Sequence, residues 1–165
     1  MYRFTISTDT ISLQDDGKSE NAHNLTAEEL SARKIVYIDF VNDSIPTRDY
    51  DANFDPGKIH FETDKVSRSP LGKNWLTDVK NSQLPVMCCY KVVKSNFALW
   101  PIQGQVERLI QSQLQRVFLI FHRTLYGHFD LWNQLSMNEI DKLEKEVQNS
   151  LVQVMSEGQT QGVQL

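Results

Sequence analysis

Glu144 stands where a carboxylate is least expected. Ile140, Leu143, Val147, Leu151 and Val154 recur at three- and four-residue steps, the pattern of an amphipathic helix. On a wheel advancing about 100° per residue from Ile140, Val147 falls at about −20°, Leu151 at about +20° and Glu144 at about +40°. The acid therefore lies on the apolar face. Helix geometry alone leaves two readings open: it reaches water or a neighbouring lysine at the margin of the stripe, or it accepts hydrogen bonds from a polar ligand group held beneath the helix. Leu99-Trp100-Pro101 is the second candidate. Two bulky apolar side chains at a strand-to-helix corner either fold inward as core or protrude as an amphipathic membrane anchor, since Trp suits the bilayer interface.

The remaining chemistry-bearing residues point to no reaction. His122 and His128 are six apart and diverge by about 120° on a helix, so they lack the three- or four-residue spacing of two ligands on one face. His23 and His60 have no metal-ligand spacing either, and no metal or other cofactor is expected. No Gly-x-Ser-x-Gly, phosphate loop, Gly-x-Gly-x-x-Gly or His-Glu-x-x-His occurs, so no enzyme is expected. The two cysteines, Cys88 and Cys89, are adjacent, which excludes a disulfide framework and suits a reducing cytoplasmic compartment.

Composition narrows the classes further. With 165 residues, 40% hydrophobic and 23% charged, the chain is long and apolar enough for a folded domain. A net charge of −4 and the absence of any Lys/Arg stripe exclude a nucleic-acid footprint. The N-terminus lacks a basic start and an apolar h-region, so the sequons at Asn24 and Asn42 read as chance matches. Apolar runs such as Val117 to Phe121 are too short to span a bilayer, leaving only peripheral membrane contact.

The elements that must position Glu144 and Trp100 are legible in outline. Alternation predicts a strand over Tyr2 to Ser7, and Asp15-Asp16-Gly17-Lys18 predicts a turn. Thr26-Ala27-Glu28-Glu29 is a capping box opening a short helix. The β-branched run Ile35 to Val41 predicts a second, largely buried strand in which Asp39 needs a partner. From Asn42 to Pro85 a proline-rich excursion follows, with a short helix at Trp75 to Lys80, and Val86 to Phe97 predicts a third strand. After Pro101 the positions Val106, Ile110, Leu114, Val117, Phe121, Leu125, Phe129 and Trp132 predict one helix of about eight turns. Ser136 to Glu139 is a second capping box, stapled by Leu135 and Ile140, and starts a last helix to about Met155. The tail 156–165 reads as flexible.

Several of these strings together resemble a known family. Met87-Cys88-Cys89-Tyr90-Lys91, Trp100-Pro101-Ile102-Gln103 with Val106-Glu107, Phe118 to Arg123, Asp130-Leu131-Trp132 and Met137 to Ile140 ending in Glu144 are similar to the C-terminal part of the phosphatidylinositol transfer proteins. Upstream, Glu20-Asn21-Ala22-His23, Val36-Tyr37-Ile38-Asp39, Asp55-Pro56 and Arg68 to Trp75 continue the match in the same order, so that it covers Phe4 to Val154.

The resemblance implies an α+β, START-like helix-grip fold, a curved and mostly antiparallel sheet with long helices around one phospholipid. On this basis residues 1–155 form part of such a domain. It implies transfer of phosphatidylinositol and phosphatidylcholine between membranes without covalent chemistry, by a cytoplasmic protein transiently peripheral on membranes. Glu144 matches the glutamate that contacts the inositol headgroup. Trp100 matches the second residue of an exposed aromatic pair that docks on the membrane, with Leu99 in the place of the first and Pro101 where a glycine is usual. The last helix matches a segment that closes over the lipid entrance. The long excursion matches a region bearing a phosphorylated serine, where Thr63 is the nearest hydroxyl.

The family's N-terminal strands, long helix and further headgroup-binding side chains have no counterpart in these 165 residues. The resemblance thus implies kinship to a lipid carrier and does not extend to transfer by these residues alone. The competing expectation is a non-enzymatic interaction module or self-associating fragment, whose exposed helix faces and sheet edge bind a partner.

Overall fold

The structure, a computed structural model, describes residues 4–62, 67–97 and 101–156. They belong to two compact units, 1–127 and 128–165, and the fold is α+β.

The first unit is organised on a two-stranded antiparallel ribbon. Strand β1, Phe4–Leu13, pairs with β4, Cys88–Phe97, in the register Phe4 opposite Phe97 through Leu13 opposite Cys88. The first strand is thus longer than its Tyr2–Ser7 alternation suggested, because Thr8 to Leu13 continue the same period with hydroxyls and acids in place of clear apolar marks. Between the strands lie α1 (Ala27–Ala32), 3₁₀ turns at Thr47–Asp49 and Ala52–Phe54, the short pair β2 (Phe61–Glu62) and β3 (Ser67–Arg68), and α2 (Trp75–Asn81). The capping box at Thr26 closes as expected, Thr26 Oγ1 accepting from Glu29 N and Glu29 Oε2 accepting from Thr26 N.

Alternation gives the ribbon two faces. On one, Asp9, Ile11 and Leu13 stand opposite Val92, Tyr90 and Cys88. The segment entering α1 docks here: Tyr90 Oη donates to Asp15 at 2.8 Å and accepts from Ser19 N at 2.9 Å. His23 sits between the Asp9 carboxylate at 3.1 Å and the Tyr90 carbonyl at 3.2 Å. Gly17, at φ +85°, makes the intervening turn in a conformation that a side chain would strain. Beside it the ammonium groups of Lys18 and Lys80, at 2.7 and 2.6 Å, hold the Asp16 carboxyl down at about 2.

The predicted strand Ile35–Val41 is not formed. Ile35, Val36 and Tyr37 are exposed, Tyr37 by 77%, and the run has no ladder to any described segment. Strand propensity is expressed only against a neighbour, and here none lies alongside. Asp39 does find partners, accepting from Val41 N, Asn42 N and Trp75 Nε1 through Oδ1 and from Asn42 Nδ2 through Oδ2. Burial alone would raise this carboxyl, but those donors outweigh it and keep Asp39 below its ordinary value.

Helix α3, Gln103–Gly127, is where the core forms, and on an unexpected face. Leu119 and Arg123 are its buried residues, at 6% and 7% exposure. The Arg123 guanidinium donates to the carbonyls of Phe40, Val41 and Asp43 at 2.8, 3.3 and 2.7 Å. One turn before Leu119, Arg116 forms a two-pronged pair with the Asp49 carboxylate. Tyr126 packs on Phe40 and Phe61 at 5.4 and 5.3 Å between ring centroids. The excursion 40–61 is therefore lashed to the arginine-bearing side of α3, while Val117 and Phe121, on the apolar stripe opposite, remain 52% and 51% exposed.

The eight-turn helix is corrected to two. α3 stops at Gly127, whose missing Cβ would lie 2.4 Å from the Phe54 ring, so the close approach of the excursion requires glycine there. The short helix α4, Phe129–Trp132, follows in the second unit. The last helix, α5, runs Met137–Ser156 behind the Ser136 capping box, with Ser136 N donating to Glu139 Oε2 at 2.8 Å.

Tyr126 Oη is buried without a hydrogen-bond partner among the described residues. Removing it leaves nothing unsatisfied, so Tyr126→Phe is expected to leave stability unchanged or raise it by about 1 kcal/mol. The urea midpoint of unfolding measures this, and a loss of stability would show that the hydroxyl is paired.

Candidate functional site

Each unit carries one candidate surface. In the second, Leu135, Ile140, Leu143, Val147 and Leu151 line an open concavity of about 470 Å³ along α5, with Glu144 and Gln148 as its polar members. This is the stripe read from the sequence, and it is uncovered. Leu143, Val147 and Leu151 are exposed, and so is Glu144. Among the described residues the Glu144 carboxylate has no hydrogen-bond or ion-pair partner. It can accept from a polar group seated over the concavity while the aliphatic residues take up apolar surface.

In the first unit the chemistry lies on the second face of the ribbon, where Thr8, Thr10 and Ser12 stand opposite Val93, Lys91 and Cys89. The amino end of α3 is tied to this ribbon by Glu107, whose Oε1 accepts from Phe97 N at 3.1 Å. Lys91 reaches up to α3: its ammonium lies 5.2 Å from the Phe118 ring centroid and donates to Thr10 Oγ1 at 3.3 Å. A cation over an aromatic face, beside the Thr10 hydroxyl and with the exposed Thr8 and Ser12 hydroxyls on the same face of β1, is an arrangement that can receive an oxyanion. His122 stands one turn beyond Phe118, half-buried. Burial first, and then the Lys91 charge, keep its imidazole below the ordinary value.

Leu99, Trp100 and Thr63 lie outside the described residues. Lys91, Thr10 and His122 are the residues that sequence reasoning missed as a group. The available signal was a lysine inside a strand rich in Val and Cys, at a position whose face a helix must cover; Thr10 could not be matched to it without the register. His122 was weighed only as a metal ligand. Among the described residues no group of three or more His, Cys, Asp or Glu side chains could hold a metal. None of their helices is long and apolar enough to cross a membrane.

The family described as phosphatidylinositol transfer protein matches residues 1–149. The human phosphatidylinositol transfer protein beta isoform is 37% identical over 161 residues, covering 96% of this chain and 59% of the relative. Phosphatidylinositol transfer protein 5 of Dictyostelium discoideum is 37% identical over 150 residues, 90% of this chain and 50% of the relative. Membrane-associated phosphatidylinositol transfer protein 2 of Mus musculus is 36% identical over 161 residues, 97% of this chain and 12% of that longer protein. The chain spans about three-fifths of the length of the beta isoforms it matches. Matched over nine-tenths of its length by the family pattern, and by relatives from mammals and an amoeba, the chain belongs to the phosphatidylinositol transfer protein family.

Proposed function

We propose that this chain is the lipid-holding part of a START-like phospholipid carrier that takes phosphatidylinositol or phosphatidylcholine from one membrane to another without covalent chemistry. The observation that carries the reading is the inverted burial of α3. Its arginine side is packed, and its apolar stripe is exposed at Val117, Phe121 and Leu125. A helix that spends its charged side on the interior reserves its apolar side for another occupant.

An acyl pair is an occupant of suitable chemistry. A two-chain phospholipid has on the order of 30 methylenes, and leaving them in water costs on the order of 25 kcal/mol at about 0.8 kcal/mol each. A carrier must therefore cover the chains in transit and release them only at a bilayer. In this reading the Lys91–Thr10 corner of the first unit receives a phosphate, and in the second unit Glu144 accepts from an inositol headgroup. Leu99 and Trp100 touch the membrane during exchange, and the carrier acts in the cytoplasm as a peripheral visitor to membranes. Thr63 is the corresponding candidate for phosphorylation. The membrane-associated relative supports the peripheral part of this reading.

Headgroup choice supplies the test. Lipid bound to purified Glu144→Ala, loaded from mixed vesicles and counted by native mass spectrometry, is expected to lose phosphatidylinositol about tenfold while phosphatidylcholine is retained, the loss of one or two hydrogen bonds to a charged acceptor. Equal loss of both lipids would make Glu144 a structural residue, and an unaltered ratio would remove it from the headgroup site.

A further inference from the structure

His122 has a placement that acyl contact alone does not explain. It shares a helix face with Phe118, one turn away, and that face is turned to β4, where the Lys91 ammonium lies over the Phe118 ring. Its ring meets that of Phe121 in a T-shaped contact at 5.3 Å between centroids, so the imidazole also borders the apolar stripe. Neither ring nitrogen is hydrogen-bonded among the described residues.

The groups around it are of one sign. From β4 comes Lys91, with the Cys89 thiol two residues along on the same sheet face. From β1, opposite Lys91, comes the uncharged Thr10 hydroxyl. From α3 itself come Phe118 and Phe121, and Tyr126 one turn further on. No carboxylate stands among them, and burial together with the lysine charge keeps the imidazole neutral more firmly than in water.

Resting on the reading of Lys91 as the seat of a phosphate, we propose that His122 is a second, proton-dependent binding group for that same phosphate. In the empty site it is neutral. A phosphate oxyanion set against Lys91 cancels the repulsion and places a negative charge beside the imidazole, which then takes a proton from solvent and binds the anion as a cation. No bond is made or broken beyond that proton's transfer. By linkage, the anion binds more tightly as pH falls through the His122 range, and the imidazole holds its proton more tightly by the same factor. An opposite charge within about 4–6 Å of an imidazole is worth about one pH unit, or about tenfold in affinity.

The ligand chemistry is a phosphate, either the diester of a lipid headgroup or free phosphate. The probes are glycerophosphoinositol and, in a separate arm, inorganic phosphate, added to the full chain while its imidazoles are titrated by NMR. His122→Gln assigns the resonance and Lys91→Met removes the lysine charge. The His122 midpoint is expected to rise by about one unit with saturating glycerophosphoinositol, and to rise without any ligand in Lys91→Met. Affinity should grow about tenfold from about pH 8 to about pH 5 and become flat in His122→Gln.

An equal response to inorganic phosphate supports a site for any phosphate, and a response to the headgroup alone supports one for the diester. Binding that is lost in Lys91→Met yet indifferent to pH and to His122→Gln would overturn this inference and leave the carrier reading standing. A midpoint unmoved in ligand-free Lys91→Met would also overturn it. Failure of both probes to bind at any pH would overturn both.

Discussion

Arg123→Ala is expected to cost about 3 kcal/mol of unfolding free energy. The guanidinium is 7% exposed and supplies donors to three carbonyls, those of Phe40, Val41 and Asp43. Its removal leaves all three without that donor where the excursion crosses α3. Arg123→Lys should recover only part of the loss, because a single ammonium cannot reproduce the planar fork. Urea unfolding measures the total, and hydrogen exchange along residues 40–61 shows where it falls. A change below about 1 kcal/mol would mean that Arg116, Tyr126 and Gly127 hold the excursion without it.

That anchor was the least legible feature of the sequence, for a physical reason. Arg123 bonds to carbonyls 80 to 83 positions earlier, and carbonyls carry no side-chain identity. Local signals fared better. Both capping boxes and α2 depend on side chains within a few positions of one another and formed where expected, while β4 needed β1 and begins at Cys88, two residues after the expected Val86. Gly127 was available as punctuation in the apolar repeat, but periodicity ran through it; the contact with Phe54 that requires glycine arises only in the fold. Ile35 to Val41 had strand composition and lacked the neighbour that composition cannot supply.

The apolar stripe of α3 was legible in the sequence; which side of the helix is buried was not. Leu119, off the stripe, is core, whereas Val117 and Phe121, on it, are exposed. The wheel position of Glu144 was likewise legible, beside the aliphatic residues it borders. Lys91 and Thr10 needed the β1–β4 register before they could be seen as a pair.

The second large effect separates folding from lipid retention. Phe121→Gln changes an exposed position, so its unfolding free energy is expected to stay within about 0.5 kcal/mol of the parent. Against acyl chains the amide would replace an aromatic face, a penalty of about 2 kcal/mol, which is about thirtyfold in retained phospholipid. Leu119→Ala is the complement: buried at 6% exposure, it should lose about 2 to 4 kcal/mol of stability, with the folded fraction holding lipid as before. If Phe121→Gln retains phospholipid in full, the stripe is ordinary surface, and if it unfolds the chain, the stripe is core.

Acyl-chain contact can also be mapped directly. A phosphatidylinositol carrying a photoreactive acyl chain, loaded onto the chain and irradiated, should attach to Val117 and Phe121 of α3. Leu119, Arg123 and Tyr126 should be spared. Adducts spread evenly around α3 or concentrated on its arginine side, or a folded chain that takes up no lipid and yields none, would contradict the account.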